Sequence, residues 1–136
     1  MENKDTEKLL NERYSEITRI DKEVRTVQKQ LESIQNQVAE LMYIQDSLEQ
    51  MPETKPGSEV LVPISSGIFM KAKVEDSKNL IINVGAGVCV GKTVDETVLM
   101  LNNQRIRLES IQEQLTNHMY ALVMQAQKIE KEISQL

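Results

Sequence analysis

The feature that most constrains this chain is the stretch from Asp5 to Met51, which contains neither glycine nor proline. Its apolar residues recur in alternating steps of three and four, at Ile17, Ile20, Val24, Val27, Leu31, Ile34, Val38 and Leu41. That spacing is the apolar seam of a coiled coil. At about 1.5 Å per residue, such a helix is roughly 70 Å long, too long for an ordinary globular domain. The stretch is therefore predicted to be one helix that lies along a partner helix.

A second long helix is predicted from Thr93 to the end of the sequence. Thr93 and Glu96 match the capping box, in which a threonine precedes the helix and a glutamate follows three residues later. Apolar positions follow at Val98, Leu101, Leu108, Ile111, Leu115, Met119, Leu122, Ala126, Ile129, Ile133 and Leu136, and Met124 is also assigned to coil packing. Arg105 interrupts the seam, so a local change of register is expected before Leu115. Two helices of matched length predict an antiparallel pair whose termini meet at one end.

The segment between the helices has a different composition. Two prolines and a glycine in Met51–Gly57 end the first helix. Valine, isoleucine and glycine-containing turns then predict strands near residues 59–64, 68–74, 80–84 and 88–92, paired as two hairpins. The predicted fold class is α+β, mainly α, in a single unit over 1–136, with helices over 5–51 and 93–136 and hairpins over 58–92.

The hairpins predict an obligate assembly. Isolated two-stranded sheets are marginally stable in water, and their open edges invite pairing with another chain. The side chains expected to mediate oligomerisation are Val60, Val62, Ile64, Ile68, Met70, Val74, Ile81, Val84, Val88 and Val90.

The composition disfavours several functions. A net charge of −5 argues against a nucleic-acid surface, because such affinity rests on lysine and arginine. One cysteine and one histidine offer little for metal binding. The first eight residues are polar and no apolar run is long enough to span a membrane. We therefore expect a cytoplasmic protein without membrane or nucleic-acid partners.

Three features that resemble parts of binding or catalytic sites have simpler structural explanations. Gly85–Gly87 lacks the remaining glycine of a dinucleotide-binding fingerprint, so a turn is expected. His118 has no second ligand at metal-binding spacing, and a partly solvated position on the coil is expected. Cys89 is interpreted as a small buried strand residue and not as a nucleophile. No enzyme activity, metal or cofactor is predicted.

The central segment is similar to the α-type subunits of the prefoldin family. Val60–Gly67 (VLVPISSG) resembles the first strand and glycine turn of that family, and Ile68–Val74 (IFMKAKV) its second strand. Asn83–Val88 (NVGAGV) and Gly91–Glu96 (GKTVDE) resemble the third turn, the fourth strand and the start of the second helix. An insert long enough for two hairpins favours the α type, because the β type has one.

The resemblance implies an ATP-independent chaperone. It implies a hexamer of two α and four β subunits, whose hairpins join in a β-barrel between subunits. It also implies that the coil tips hold unfolded polypeptides and deliver them to a chaperonin. With the termini at the open end, the tip residues are Leu9, Leu10, Tyr14, Ile17, Ile129, Ile133 and Leu136. Two alternatives stay open: these residues are the last layers of coil packing, or the chain is a structural or filament-forming scaffold.

Overall fold

The computed structural model describes the backbone of residues 2–136 and the side chains of residues 3–136. Its two helices are α1 (Glu2–Gln50) and α2 (Val94–Ser134), and its four strands are β1 (Glu59–Ser65), β2 (Ile68–Lys73), β3 (Asn79–Gly85) and β4 (Val88–Thr93). β1 pairs with β2, and β3 with β4, as two separate antiparallel hairpins between the helices. The predicted α+β fold class, with two hairpins inserted between long helices, is confirmed.

The helix boundaries follow from local chemistry. α1 ends at Gln50, one residue before the predicted position, because Met51–Glu53 forms a 3₁₀ turn around Pro52. At the other boundary the Thr93 hydroxyl accepts a hydrogen bond from the Glu96 N–H at 3.1 Å. This bond satisfies one of the amide groups that a helix start leaves without an intrahelical partner. Thr93 is thus both the last residue of β4 and the N-cap of α2.

The chain divides into two compact units. The first combines α1 up to Val38 with the segment Arg107–Leu136 of α2, and the second comprises Ala39–Ile106. Ile20, Val27, Leu122 and Ile129 form the core cluster of the first unit, and Ile20 is completely buried. Around this cluster pack Ile17, Val24, Leu31, Leu115, Met119, Ala126 and Ile133.

Polar contacts across the first unit show the direction of its helices. Arg13 Nε lies 3.3 Å from Glu132 Oε2, and His118 Nε2 lies 3.4 Å from Glu23 Oε1. Positions that rise along α1 therefore meet positions that fall along α2. The two helices are antiparallel in this unit, as the matched lengths predict.

Side-chain exposure on α2 departs from the predicted seam at two positions. Ile111 is 44% exposed, although its spacing placed it in the seam. Ile111 nevertheless lines one open groove with Leu115 and with Ile34 of α1, so it lies beside the partner helix without being covered by it. Met119 packs against the core as expected, but Met124 is 49% exposed and does not contribute to coil packing.

The second unit has its own small set of buried residues. Val94 and Leu101 are its buried apolar side chains, and Ser77 and Thr97 are its buried polar ones. The Thr97 hydroxyl donates to the Thr93 carbonyl at 2.8 Å, so burial leaves this hydroxyl bonded.

Both hairpins close through residues with positive φ. Gly67 has φ 78° in the β1–β2 turn, whereas Ala86 and Gly87 have φ 51° and 75° in the β3–β4 turn. Two successive positive φ values are the signature of a type I′ turn, which matches the twist of antiparallel strands. Beside this turn, the Gly85 N–H donates to the Asn83 side-chain oxygen at 2.9 Å. The glycines thus fix where each hairpin reverses.

Candidate functional site

The first candidate surface lies at the end of the first unit that carries both chain termini. Leu9 is 36% exposed, Tyr14 56% and Leu136 53%. Leu10, adjacent to Leu9, is half-buried. Because neighbouring helical residues point about 100° apart, only one of the two leucines faces inward. We call the exposed set of Leu9, Tyr14 and Leu136 the tip surface.

The other predicted tip residues have a different environment. Ile129 is 4% exposed and belongs to the core cluster of the first unit. Ile17 and Ile133 are partly buried against the same cluster. These three side chains contact the partner helix, so they support the tip surface and do not extend it.

Arg13 fixes the electrostatics beside the tip surface. Its guanidinium lies 3.2 Å from Glu16 on α1 and 3.3 Å from Glu132 on α2. These residues are half-buried and still in contact with solvent, so each pair contributes only about 1 kcal/mol. Because Arg13 is paired with two carboxylates, its positive charge beside the tip surface is neutralised. A neutral surrounding favours the binding of apolar ligands at the tip surface.

The second candidate surface is the hairpin of β1 and β2. Val62 lies opposite Met70, and these residues are 45% and 58% exposed. Ile64 and Ile68, at the turn end of this hairpin, are 60% and 55% exposed, whereas Val60 and Val74 are half-buried. Most of the predicted oligomerisation residues of this hairpin are therefore available for contact with another chain.

The opposite face of the same hairpin is also apolar. Leu61 is 63% exposed and lies across from Lys71, while Phe69 is 58% exposed and lies across from Pro63. Residues directly opposite each other share a face, so this face is distinct from that of Val62. Leu61 and Phe69 were absent from the predicted set of oligomerisation residues. The unbroken apolar run in β1 was the available signal, because strands covered on both faces do not alternate.

The two faces of the β3–β4 hairpin differ in the exposure of their apolar side chains. Ile81 is 83% exposed and lies opposite Gly91, which has no side chain to cover it. Val90 is half-buried and lies opposite the half-buried Ile82 on the other face. Val84 and Val88, beside the turn, are each 54% exposed. Ile82 was absent from the predicted set.

Residues with catalytic or ligand-binding chemistry are scattered. Cys89 is exposed, so its predicted burial is wrong. Within residues 3–136, no group of histidine, cysteine or acidic side chains has the geometry to hold a metal ion. Over the same residues, no helix combines the length and apolarity needed to cross a membrane.

Together these surfaces define a class of protein: a coiled-coil subunit whose hairpins and helix ends offer apolar surface to other chains. The match to the family model described as "Prefoldin subunit" covers residues 20–136. The chain belongs to the prefoldin family. It is therefore a prefoldin-type chaperone subunit.

Curated relatives point to the α type. The chain is 27% identical over 124 residues to "Prefoldin subunit alpha" of Thermofilum pendens. This alignment covers 91% of this chain and 94% of the relative. It is 25% identical over 129 residues to the protein of the same name from Archaeoglobus fulgidus, covering 95% and 94%. These matches and the two-hairpin insert support an archaeal-type α subunit.

A solved structure supports the fold. The "filamentous PFD from Methanocaldococcus jannaschii", determined by cryo-electron microscopy, matches with a TM-score of 0.76 and 18% identity. The alignment covers 90% of this chain and 98% of the other. Membership of the family implies hetero-oligomeric assembly with other prefoldin subunits, in agreement with the exposed apolar hairpins.

Proposed function

We propose that this chain is an ATP-independent holdase subunit, which captures unfolded polypeptides at the tip surface and passes them to a chaperonin. The observation that carries the proposal is the exposure of Leu9, Tyr14 and Leu136 beside a seam already filled by Ile129. Helix packing does not account for these exposed side chains. Apolar groups held open to water on a rigid support suit the apolar segments that unfolded chains expose.

Weak binding is sufficient for such a role. Burial of apolar surface contributes about 25 cal/mol per Å², but binding also costs translational and conformational freedom. A single tip surface of this size is therefore a weak site. Several tips in one assembly act together through their high effective concentration, so a flexible polypeptide is retained without nucleotide hydrolysis.

The assembly that best supports this role is a hexamer of two α-type and four β-type subunits. We infer that the exposed hairpin side chains contribute to a β-barrel shared by these subunits. Delivery to a chaperonin is the step that follows capture in this proposal. A cytoplasmic location agrees with the single, exposed Cys89, since cytosolic proteins keep thiols reduced.

The tip surface is tested by the triple variant Leu9→Gln, Tyr14→Gln and Leu136→Gln. Glutamine preserves helix propensity, so the coil should remain while apolar exposure falls. We expect the assembled variant to lose most of its ability to suppress light scattering from guanidinium-unfolded citrate synthase diluted into buffer without ATP. The matched control changes the exposed polar residues Asn11, Glu12 and Ser15 to glutamine and should behave as wild type. Full suppression by the tip variant would refute the tip model.

A filament-forming scaffold is the second candidate function. The motivating observation is that a protein of the same fold is described as filamentous. The two functions differ in what the chain does without a partner. Electron microscopy of the purified chain alone would show open-ended filaments for the scaffold, whereas the holdase subunit would form none.

A further inference from the structure

One segment of α2 in the first unit is unusual for the outside of a coiled coil. Residues 114–127 contain no aspartate, glutamate, lysine or arginine. The α1 segment of the same unit is rich in charge, at Glu16, Arg19, Asp21, Lys22, Glu23, Arg25 and Lys29. Solvent-facing positions of a coil are normally charged, because charge keeps that face hydrated and soluble. The two helices therefore present chemically different outer faces.

The uncharged segment carries three exposed apolar side chains. Tyr120 is 67% exposed, Val123 39% and Met124 49%. Their spacing of three and four residues places them side by side on one helix face. The seam is formed by other residues of the same turns, including the buried Leu122 and the partly buried Met119. We call the exposed set the Tyr120 patch.

The size of the patch limits what it can bind. Three side chains exposed to this degree present on the order of 300 Å² of surface. A stable contact between two folded proteins buries about 800 Å² on each partner. The Tyr120 patch is too small to hold a second folded copy of this chain on its own, and it suits a short, transient contact.

The chemistry of the patch limits its ligand further. An uncharged surface gives no electrostatic preference for an acidic or a basic partner. Methionine is flexible and polarisable, and tyrosine combines an apolar ring with a hydroxyl, so both adapt to varied apolar partners. These properties match apolar, uncharged stretches of a polypeptide that lacks a fixed structure.

We propose that the Tyr120 patch is an auxiliary binding site for apolar segments of non-native polypeptides. This inference rests on the proposed holdase function. A client held by the tip surface has a high effective concentration at other sites on the same assembly, so a second weak contact slows its release. The patch thus adds a contact on α2 that is separate from the tip surface.

The test uses the full chain assembled with β-type subunits. The patch variant combines Tyr120→Gln, Val123→Gln and Met124→Gln, and the matched control combines Thr116→Gln, Asn117→Gln and Ala121→Gln, all at exposed positions of α2. The probe is fluorescein-labelled α-lactalbumin kept unfolded by reduction and carboxymethylation. We expect the patch variant to bind the probe about three- to tenfold more weakly than wild type, with the control within about twofold.

A second measurement does not depend on the folding of the patch variant. A photoreactive benzophenone amino acid at position 120 should crosslink to the unfolded probe in the otherwise wild-type assembly. The same group at the exposed position of Lys29, on the charged α1 segment, should crosslink much less. Equal crosslinking at both positions, or crosslinking at position 120 only to another subunit, would overturn the proposal.

The outcomes separate this inference from the function on which it rests. If the patch variant binds as wild type while the tip variant loses binding, the patch proposal is wrong and the holdase function stands. If the wild-type assembly does not bind the probe, both are wrong. A patch variant whose assembly contains a different number of subunits from wild type would identify the patch as a contact between subunits. That result would also overturn the proposal.

Discussion

At the scale of single residues, the Asp76 carboxylate is held by hydrogen bonds within the turn that precedes β3. It accepts from the Asn79 side-chain amide at 2.8 Å and from the backbone N–H groups of Lys78 and Asn79 at 2.9 and 3.2 Å. These bonds, with the Asn79 side chain first, hold the pKa of Asp76 below its ordinary value of 3.8. They stabilise the turn that precedes β3 more strongly when the carboxylate is ionised than when it is protonated.

The pH dependence of this contribution follows from the direction of the shift. A group with a lowered pKa in the folded state stabilises the fold above its unfolded pKa, and that contribution is lost as the pH falls through the folded pKa. We expect Asp76→Ala to lower the thermal midpoint at pH 7, with the difference from wild type shrinking as the pH falls below 3.8. Circular dichroism melts at several pH values test this, with Glu75→Gln as the control. A difference that does not change with pH would contradict the assignment.

Seam packing also depends on individual side chains. Ile20 is completely buried, so Ile20→Ala leaves a cavity and should cost about 2–5 kcal/mol of unfolding free energy. Ile106 is the same residue type but is 54% exposed, and Ile106→Ala should change stability by no more than about 0.5 kcal/mol. Urea unfolding of both variants measures the contrast. Equal losses would mean that the core does not centre on Ile20.

At the scale of elements, the turn between β3 and β4 contains a strained residue, and substitution of that residue should relieve the strain. Ala86 has φ 51°, a left-handed conformation that costs an ordinary L-residue about 1 kcal/mol and that asparagine tolerates better. We expect Ala86→Asn to raise stability by about 0.5–1 kcal/mol, whereas the β-branched Ala86→Val should lower it. Thermal unfolding of both variants provides the measurement. A destabilising asparagine would argue against the type I′ turn.

Elements differ in how far the sequence determines them. The seam from Ile17 to Leu41 could be predicted because its spacing has no interruption, and the hairpins could be located because their turns contain glycine. The exposure of Leu9 in place of Leu10 depends on helix phase, and the burial of Ile129 depends on the partner helix. Met124 lies midway between the seam residues Leu122 and Ala126, so its outward position could have been predicted from the spacing.

At the scale of the whole molecule, the two exposed faces of the β1–β2 hairpin mean that the isolated chain leaves much apolar surface uncovered. Val62 and Met70 lie opposite each other on one of these faces. The double variant Val62→Lys and Met70→Lys places two like charges side by side on that face, which disfavours a dry contact with another chain. We expect it to abolish assembly with β-type subunits while helix content persists. Glu59→Gln, a change at an exposed position on the opposite face, is the control.

Native mass spectrometry of the chain co-purified with a β-type subunit tests the proposed assembly most directly, because capture at several tips in this proposal requires a closed assembly. We expect one complex of two copies of this chain with four β-type subunits for the wild type and the Glu59→Gln control. We expect separate subunits for Val62→Lys with Met70→Lys. A wild-type chain that stays monomeric beside its partner, or that forms open-ended polymers of itself, would contradict the proposed assembly.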